Sequence, residues 1–255
     1  MNLKGKLNPK DYVPDVIPLT DPGCGRPDWL YRNIQMINVT YETDYDSVAE
    51  MLPEPLEFAT NPPLATVMVS NLIFSDLGEY GEAFLLFAVK YKGKDFLYAP
   101  NLFVTQEEPL IAGREIYGFP KKLADVGFKH QRNQFMGWVE RPTGKRLFDV
   151  VVSPQNNLKQ EDWKHTDALV LKQIPKEDGS GLDVCKLVGV DYHITPIVGT
   201  DGIAEFFSGK GSVSFYGMSA DDPWYKASVK KVVNAVYGRF NIHLPYGYEV
   251  YDYLK

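Results

Sequence analysis

A chain of 255 residues, 44% hydrophobic and 24% charged, is long enough to bury a sizeable core and has the balance of a globular protein. Its net charge of −6 argues against nonspecific nucleic-acid binding, which needs cations to neutralise phosphates. Two cysteines, Cys24 and Cys185, are too few for a disulfide framework, and His130, His165, His193 and His243 are scattered without metal-ligand spacing. Free thiols in a reducing compartment and no metal centre are therefore expected.

The opening residues, Met1-Asn-Leu-Lys-Gly-Lys6, lead into polar sequence without the apolar core of a signal peptide. The longest apolar runs, such as Ala83–Val89, fall far short of a membrane span. A cytoplasmic protein with no membrane partner is the expectation. Residues 7–30 hold five prolines and read as an extended arm, packed on the domain or on a neighbouring subunit. Nothing later marks a boundary, so residues 1–255 are read as one domain with a Pro-rich arm over about residues 1–30.

Asn33 to Thr43, rich in Ile, Val, Thr and Tyr, predicts a strand. Asp46 is placed to cap a short helix that Pro53 stops. Leu64 to Leu77 is β-branched and apolar and predicts a second strand. Ala83 to Tyr91 and Phe96 to Phe103 predict a hairpin about Lys92-Gly-Lys-Asp95. Thr105 is placed to cap a helix through Glu115, with Glu107 and Glu108 in its first turn and Gly118 and Pro120 ending it. Apolar–polar alternation to about Val152, with a turn at Pro142-Thr-Gly144, and runs at 168–175, 184–198 and 211–218 predict more strands. Val229, Val232, Val233 and Val236 have helical spacing, so Lys226 to Tyr237 is predicted as a helix. The class is α+β and strand-rich, with three or four helices.

Lys121 and Lys122 stand side by side, directly after Phe119-Pro120, in an apolar and Gly-rich stretch. An amine nucleophile needs a neutral nitrogen, and removal from water or a second cation nearby favours one. Proline stiffens the approach to Lys121. Adjacent lysines more often form a solvated surface, and the dipeptide alone does not decide between the two readings. On an extended backbone neighbours point opposite ways, so Lys122 is expected to aim away and desolvation to be the stronger influence. In Gly78-Glu-Tyr-Gly-Glu82, an extended backbone puts Tyr80 and Glu82 on one face, against the plainer reading of a solvated turn. Arg114-Glu115 reads as an intramolecular ion pair rather than a carboxylate clamp.

The string Gly113-Arg-Glu-Ile-Tyr-Gly-Phe-Pro-Lys-Lys-Leu-Ala124 resembles the active-site peptide of the acetoacetate decarboxylase family. Asn38-Val-Thr-Tyr-Glu-Thr-Asp44, Leu52-Pro-Glu-Pro-Leu-Glu57, Leu171-Lys-Gln-Ile-Pro175 and the ending Glu249-Val-Tyr-Asp-Tyr-Leu-Lys255 are similar to other family blocks, in the same order. Only the Pro-Lys-Lys block is specific for chemistry. The resemblance implies a β-rich α+β domain with a closed, cone-like barrel around the site, a homo-oligomer, and no cofactor. It implies Lys121 as the Schiff-base nucleophile, Lys122 as its neighbour, and Glu82 as general acid and base beside Tyr80.

The pattern also breaks. A family arginine aligns with Ile34 and a family glutamate with Met68. Arg32, two residues earlier and on the same face of a regular strand, substitutes only if the backbone shifts. Tyr117 and Tyr251 are further candidates for substrate contact. The expectation is a Schiff-base lyase acting on a keto acid: decarboxylation of a β-keto acid other than acetoacetate, bulkier and more apolar. One alternative is an aldolase–dehydratase on a 2-oxo acid such as pyruvate. The other is a barrel that binds a small apolar ligand without turning it over.

Overall fold

Alternating apolar and polar residues dominate the chain, and in the computed structural model, which describes residues 3–12, 16–162 and 164–255, they form strands of one sheet. In chain order these are β1 (Trp29–Glu42), β2 (Glu57–Phe58), β3 (Leu64–Leu72), β4 (Phe74–Ser75), β5 (Tyr80–Tyr91), β6 (Lys94–Val104), β7 (Lys121–Leu123) and β8 (Asp125–Gln131). Then come β9 (Gln134–Glu140), β10 (Arg146–Asn157), β11 (Ala168–Pro175), β12 (Leu182–Val190), β13 (His193–Pro196), β14 (Phe206–Phe215), β15 (Lys231–Leu244) and β16 (Tyr248–Asp252). The paired path runs β16-β12-β11-β6-β5-β3-β1-β15-β14-β10-β9-β8, with β13 on β15, β2 on β5, β4 on β1 and β7 on β6. Strand pairing therefore leaves two ends, β16 and β8, and does not close the ring that the family resemblance implied.

Strand alternation sends side chains to two cores. Ile37, Val39 and Tyr41 of β1 enter the first, with Val67, Val69, Leu85 and Phe87. The β8-β9-β10 end folds back over this face, so closely that a Cβ on Gly137 would lie 2.7 Å from Val69. Ile34 and Met36 enter the second core, with Leu72, Tyr80, Leu102, Tyr117 and Phe119. The described part of the N-terminal arm covers this side: Val16 and Cys24 are buried there, and Gly23 packs against Ile111. Of the arm's prolines, Pro14 lies outside the described residues.

The helices differ from expectation. Asp44, not Asp46, caps α1 (Tyr45–Val48): its backbone is extended and its carboxylate accepts from the Ser47 amide at 3.1 Å, while Asp46 already lies in the first turn. α2 (Glu107–Ile111) begins after Gln106, which makes no side-chain cap; the Thr105 hydroxyl instead accepts from the Gly81 amide at 3.0 Å. Ala112–Tyr117 continues as a π-helix, ended by Gly118 in the left-handed conformation at φ 89°. Lys226 to Tyr237 is no helix. Trp224–Lys226 is a short 3-10 turn; Val232, Val233 and Val236 belong to β15, paired antiparallel with β1, and Val229 lies in the link before it. A bulge opposite Thr40/Tyr41 leaves Val233 without a partner, which breaks the two-residue period and mimics helical spacing. The predicted strand 184–198 is two, β12 and β13, and Leu64–Leu77 splits into β3 and β4. Among the described residues no helix is long and apolar enough to cross a membrane.

Candidate active site

The site lies on the second core. β7 pairs in parallel with β6, Lys121 beside Leu102, and three residues of pairing suffice to make its side chains alternate. Lys121 turns inward and is 7% exposed. Lys122 turns outward: its Nζ donates to the Asp221 carbonyl at 2.6 Å and to Asp222 Oδ1 at 3.0 Å, and Arg141 holds the other oxygen of Asp222. The second lysine thus ties down a loop and does not enter the cavity, so whatever environment Lys121 has is made by burial and by other neighbours.

Lys121 Nζ lies 2.9 Å from Glu82 Oε1, both side chains nearly buried. The approach is an ion pair rather than a well-aligned hydrogen bond, and Glu82 Oε1 has no other partner. The Phe119 and Tyr80 rings sit 5.7 and 5.9 Å from Nζ, centroid to nitrogen, within cation–π range. The π-helix packs directly on the lysine stem. A Cβ on Gly113 would fall 2.5 Å from Lys121 Cδ and Cε, so only glycine leaves the stem its place. Arg114 donates to the Lys121 carbonyl at 3.2 Å, and Glu115 accepts from the Ile17 amide at 3.4 Å. These two residues each bind backbone instead of pairing with one another.

A cavity of about 30 Å³ opens on this pair. Its wall includes Trp29, Tyr31, Leu77, Tyr80, Tyr117, Phe119 and Tyr192, and among the described residues its only charged members are Lys121 and Glu82. Burial first, and the Glu82 charge second, push the hydroxyls of Tyr31, Tyr80 and Tyr192 above their ordinary range, so all three stay neutral. Tyr117, likewise raised by burial, donates to the Pro245 carbonyl at 2.8 Å and offers the cavity its ring.

Of the residues singled out from sequence, Lys121, Glu82, Tyr80 and Tyr117 meet here. Five others do not line the cavity. Ile34 is fully buried in the second core, and Met68 sits one row away opposite Phe84. Tyr251 packs on the first core, 6.0 Å from the Tyr91 ring. Lys122 faces Asp222. Arg32 is exposed, its guanidinium 5.6 Å over Phe74. The cause is a bulge: Tyr31 pairs with Ile242 but Ile34 with Phe240, and Asn33 has φ 58°. One extra residue reverses the facing of everything before it, so Tyr31 and not Arg32 shares a side with Ile34. Sequence reasoning missed Tyr31 for this reason. It missed Tyr192 because that residue lies in the link between β12 and β13, where no periodicity speaks.

A second polar cluster was also not grouped from sequence. His165 Nε2 lies 2.9 Å from Asp167 and 2.8 Å from Asp191, and Lys94 and Tyr248 hold the other Asp167 oxygen. The groups engage one another as an ion-pair network.

The chain is similar to known proteins over nearly its whole length. Residues 17–254 match the family Acetoacetate decarboxylase (ADC). Acetoacetate decarboxylase of Acidiphilium cryptum is 29% identical over 244 residues, covering 93% of this chain and 95% of that protein. Decarboxylase DEC1 of Cochliobolus heterostrophus is 27% identical over 247 residues, covering 94% of each. A crystal structure of acetoacetate decarboxylase from Legionella pneumophila superposes with a TM-score of 0.85 at 24% identity, over 99% of both chains. The enduracididine biosynthesis enzyme MppR, complexed with the condensation product of pyruvate and imidazole 4-carboxaldehyde, shares the fold at a TM-score of 0.77 and 17% identity, over 93% of this chain and 96% of that one. With nearly its whole length matched, this chain belongs to the acetoacetate decarboxylase family, a family of lyases.

Proposed function

We propose that this protein is a Schiff-base lyase acting on a keto acid, and that its reaction is decarboxylation of a β-keto acid other than acetoacetate. The observation that carries this is the Lys121–Glu82 pair at 2.9 Å in a largely aromatic wall where no other described residue is charged. Burying two charges is costly. A proton passing from Nζ to Oε1 removes both and leaves a free amine and a carboxylic acid, the two species with which imine formation begins. Nζ attacks the ketone carbon, and the carbinolamine loses its oxygen as water with the proton from Glu82. The iminium takes the electron pair of the breaking carbon–carbon bond as CO2 departs. Glu82 assists in protonating the enamine carbon, and water returns the lysine.

Departure from acetoacetate is supported by the lack of an arginine among the described residues of the cavity wall, where neutral phenols are what remains besides Lys121 to receive a carboxylate. The small cavity does not favour the bulky acyl group anticipated from sequence. Leu77 and Tyr192, on links between strands, are the wall residues best placed to give way to a larger one. The second reading, aldol addition or dehydration of a 2-oxo acid, draws on the same smallness and on the phenols of Tyr31 and Tyr192, which suit a hydroxyl-bearing intermediate. The likeness to MppR adds the fold and no more. Binding without turnover, the third possibility, requires that Lys121 never be modified.

Borohydride trapping with acetoacetate, 3-oxohexanoate and pyruvate, followed by peptide mapping, separates these. The expected adduct lies on Lys121 and vanishes in a folded Lys121→Ala variant. An adduct confined to Lys122, or none with any of the three, overturns the assignment. CO2 release selects decarboxylation, and pyruvate consumption with an aldehyde but without CO2 selects the aldol reading.

A further inference from the structure

On the sheet face that carries the cavity, Ser70 of β3 lies directly opposite Glu82 of β5. Opposed residues of an antiparallel pair share a face, with Cβ atoms roughly 4.5–5.5 Å apart. Ser70 is 2% exposed and its Oγ has no hydrogen-bond partner. Glu82 Oε1 likewise has none beyond its ion pair to Lys121. The other neighbours of Ser70 on that face are apolar: Met36 opposite it on β1, and Met68 and Leu72 on either side along β3. A buried hydroxyl without a partner costs free energy that alanine would not incur. The one polar side chain in its row of the sheet is Glu82.

We infer that Ser70 is a positioning residue for Glu82, its hydroxyl turning about χ1 to hold the carboxyl group when Lys121 no longer does. This rests on the imine chemistry proposed for Lys121. While Nζ is an ammonium it holds Oε1 by charge. Once the proton has passed to Glu82 and Nζ is bonding to the carbonyl carbon, that hold is gone. A hydroxyl both accepts and donates. Ser70 accepts from the protonated carboxyl, then donates to the carboxylate after the proton has left with the carbinolamine oxygen as water. The other groups facing Glu82 are Lys121 from β7, Tyr80 from its own strand, Tyr31 from β1 and Tyr192 from the β12–β13 link. Ser70 differs from these in facing Glu82 directly across the ladder with a hydroxyl that no described residue engages.

The test uses 2,4-pentanedione, which condenses with an amine to an enaminone absorbing in the near ultraviolet, so the step is read in the full chain without the natural substrate. Ser70→Ala is expected to slow enaminone formation on the order of tenfold at neutral pH, the effect of one hydrogen bond to a charged group. It is also expected to move the acid limb of the rate–pH profile to higher pH, because the carboxylate loses a donor that favours its ionised form. Ser70→Thr keeps the hydroxyl and is expected to restore both, and Ser70→Cys, a weaker donor, to fall between. The melting temperature of Ser70→Ala should hold or rise. A folded Ser70→Ala or Ser70→Cys protein with wild-type rate and profile overturns the inference and leaves Ser70 as space-filling. Failure of the wild-type protein to form an enaminone at Lys121 overturns the imine reading itself, and this inference with it.

Discussion

Gly113→Ala is the sharpest probe of how Lys121 is held. A Cβ at that position falls 2.5 Å from both Cδ and Cε of Lys121 and 3.2 Å from Nζ, against an ordinary contact of 3.4 Å or more. Something must move by about 1 Å, and the yielding partner is the lysine stem, because the π-helix backbone is fixed by Gly118 and by packing of Ala112 and Tyr117 in the second core. Overpacking of this kind costs about 1–3 kcal/mol, or a fall of roughly 2–10 °C in melting temperature for a chain of this size. The effect on chemistry is larger. Displacing a nucleophile by about 1 Å costs on the order of a hundredfold in rate. The assay is the rate of enaminone formation with 2,4-pentanedione, measured beside thermal unfolding. Gly118→Ala is the contrast: at φ +89° its Cβ falls 2.4 Å from the Lys172 Cα, a clash with backbone that no side chain can relieve. Gly118→Ala should therefore lose more stability than Gly113→Ala. A Gly113→Ala protein that forms the enaminone at the wild-type rate would refute the claim that this contact sets the lysine.

Three further outcomes follow from the same geometry. Lys122→Met should lower stability by about 1–2 kcal/mol, since buried Asp222 then keeps only Arg141, while the trapping rate at Lys121 stays within about threefold; a loss like that of Lys121→Ala would return Lys122 to the site. Burial pushes the Asp167 carboxyl up, but hydrogen bonds from Lys94, Tyr248 and His165 outweigh it and hold the group below its ordinary 3.8. A depressed carboxyl stabilises the fold above that value and loses its contribution as pH falls through the lower folded one, so Asp167→Asn should reduce the melting temperature at pH 7 and flatten its decline on acidification; an unchanged slope would refute this. Ile34→Arg should destabilise by several kcal/mol without gain in acetoacetate turnover, because Ile34 is wholly buried outside the cavity wall and an arginine there finds no partner; a stable variant with increased turnover would show that the position reaches the substrate.

What could be read from sequence, and what could not, divides by range. The hairpin of β5 and β6, the inward face shared by Tyr80 and Glu82, and the opposed lysines of β7 all follow from two-residue alternation within one segment. Long-range terms were invisible. The bulge at Asn33 moved Arg32 off the face that alternation assigned to it, and the bulge at Val233 gave a strand the spacing of a helix. β1 decides the second case: twelve antiparallel residue pairs outweigh the local pattern of β15. The π-helix likewise has no local signature beyond Gly113, whose role appears only once Lys121 is seen against it.

The bulge at Asn33 has a chemical consequence as well as a geometric one. With strict alternation from Ile34, β1 would present Arg32 to the cavity side, and the site would hold two cations against one carboxylate. The extra residue puts Tyr31 there instead, and among the described residues of the wall the only full charges are Lys121 and Glu82. In the proposed cycle this matters at the first step. The free amine is reached by moving one proton from Nζ to Oε1, and with a balanced pair that transfer leaves no net charge in the cavity. An arginine beside Glu82 would favour its ionised form and oppose the transfer. Phenols donate hydrogen bonds to an incoming oxygen without adding charge, and burial keeps those of Tyr31, Tyr80 and Tyr192 protonated. The cost falls on the substrate's own carboxylate, which meets hydroxyls where a guanidinium would bind it more tightly. A site built this way exchanges affinity for the acid group against ready formation of the amine, which is the direction that the proposed reaction on a keto acid other than acetoacetate requires.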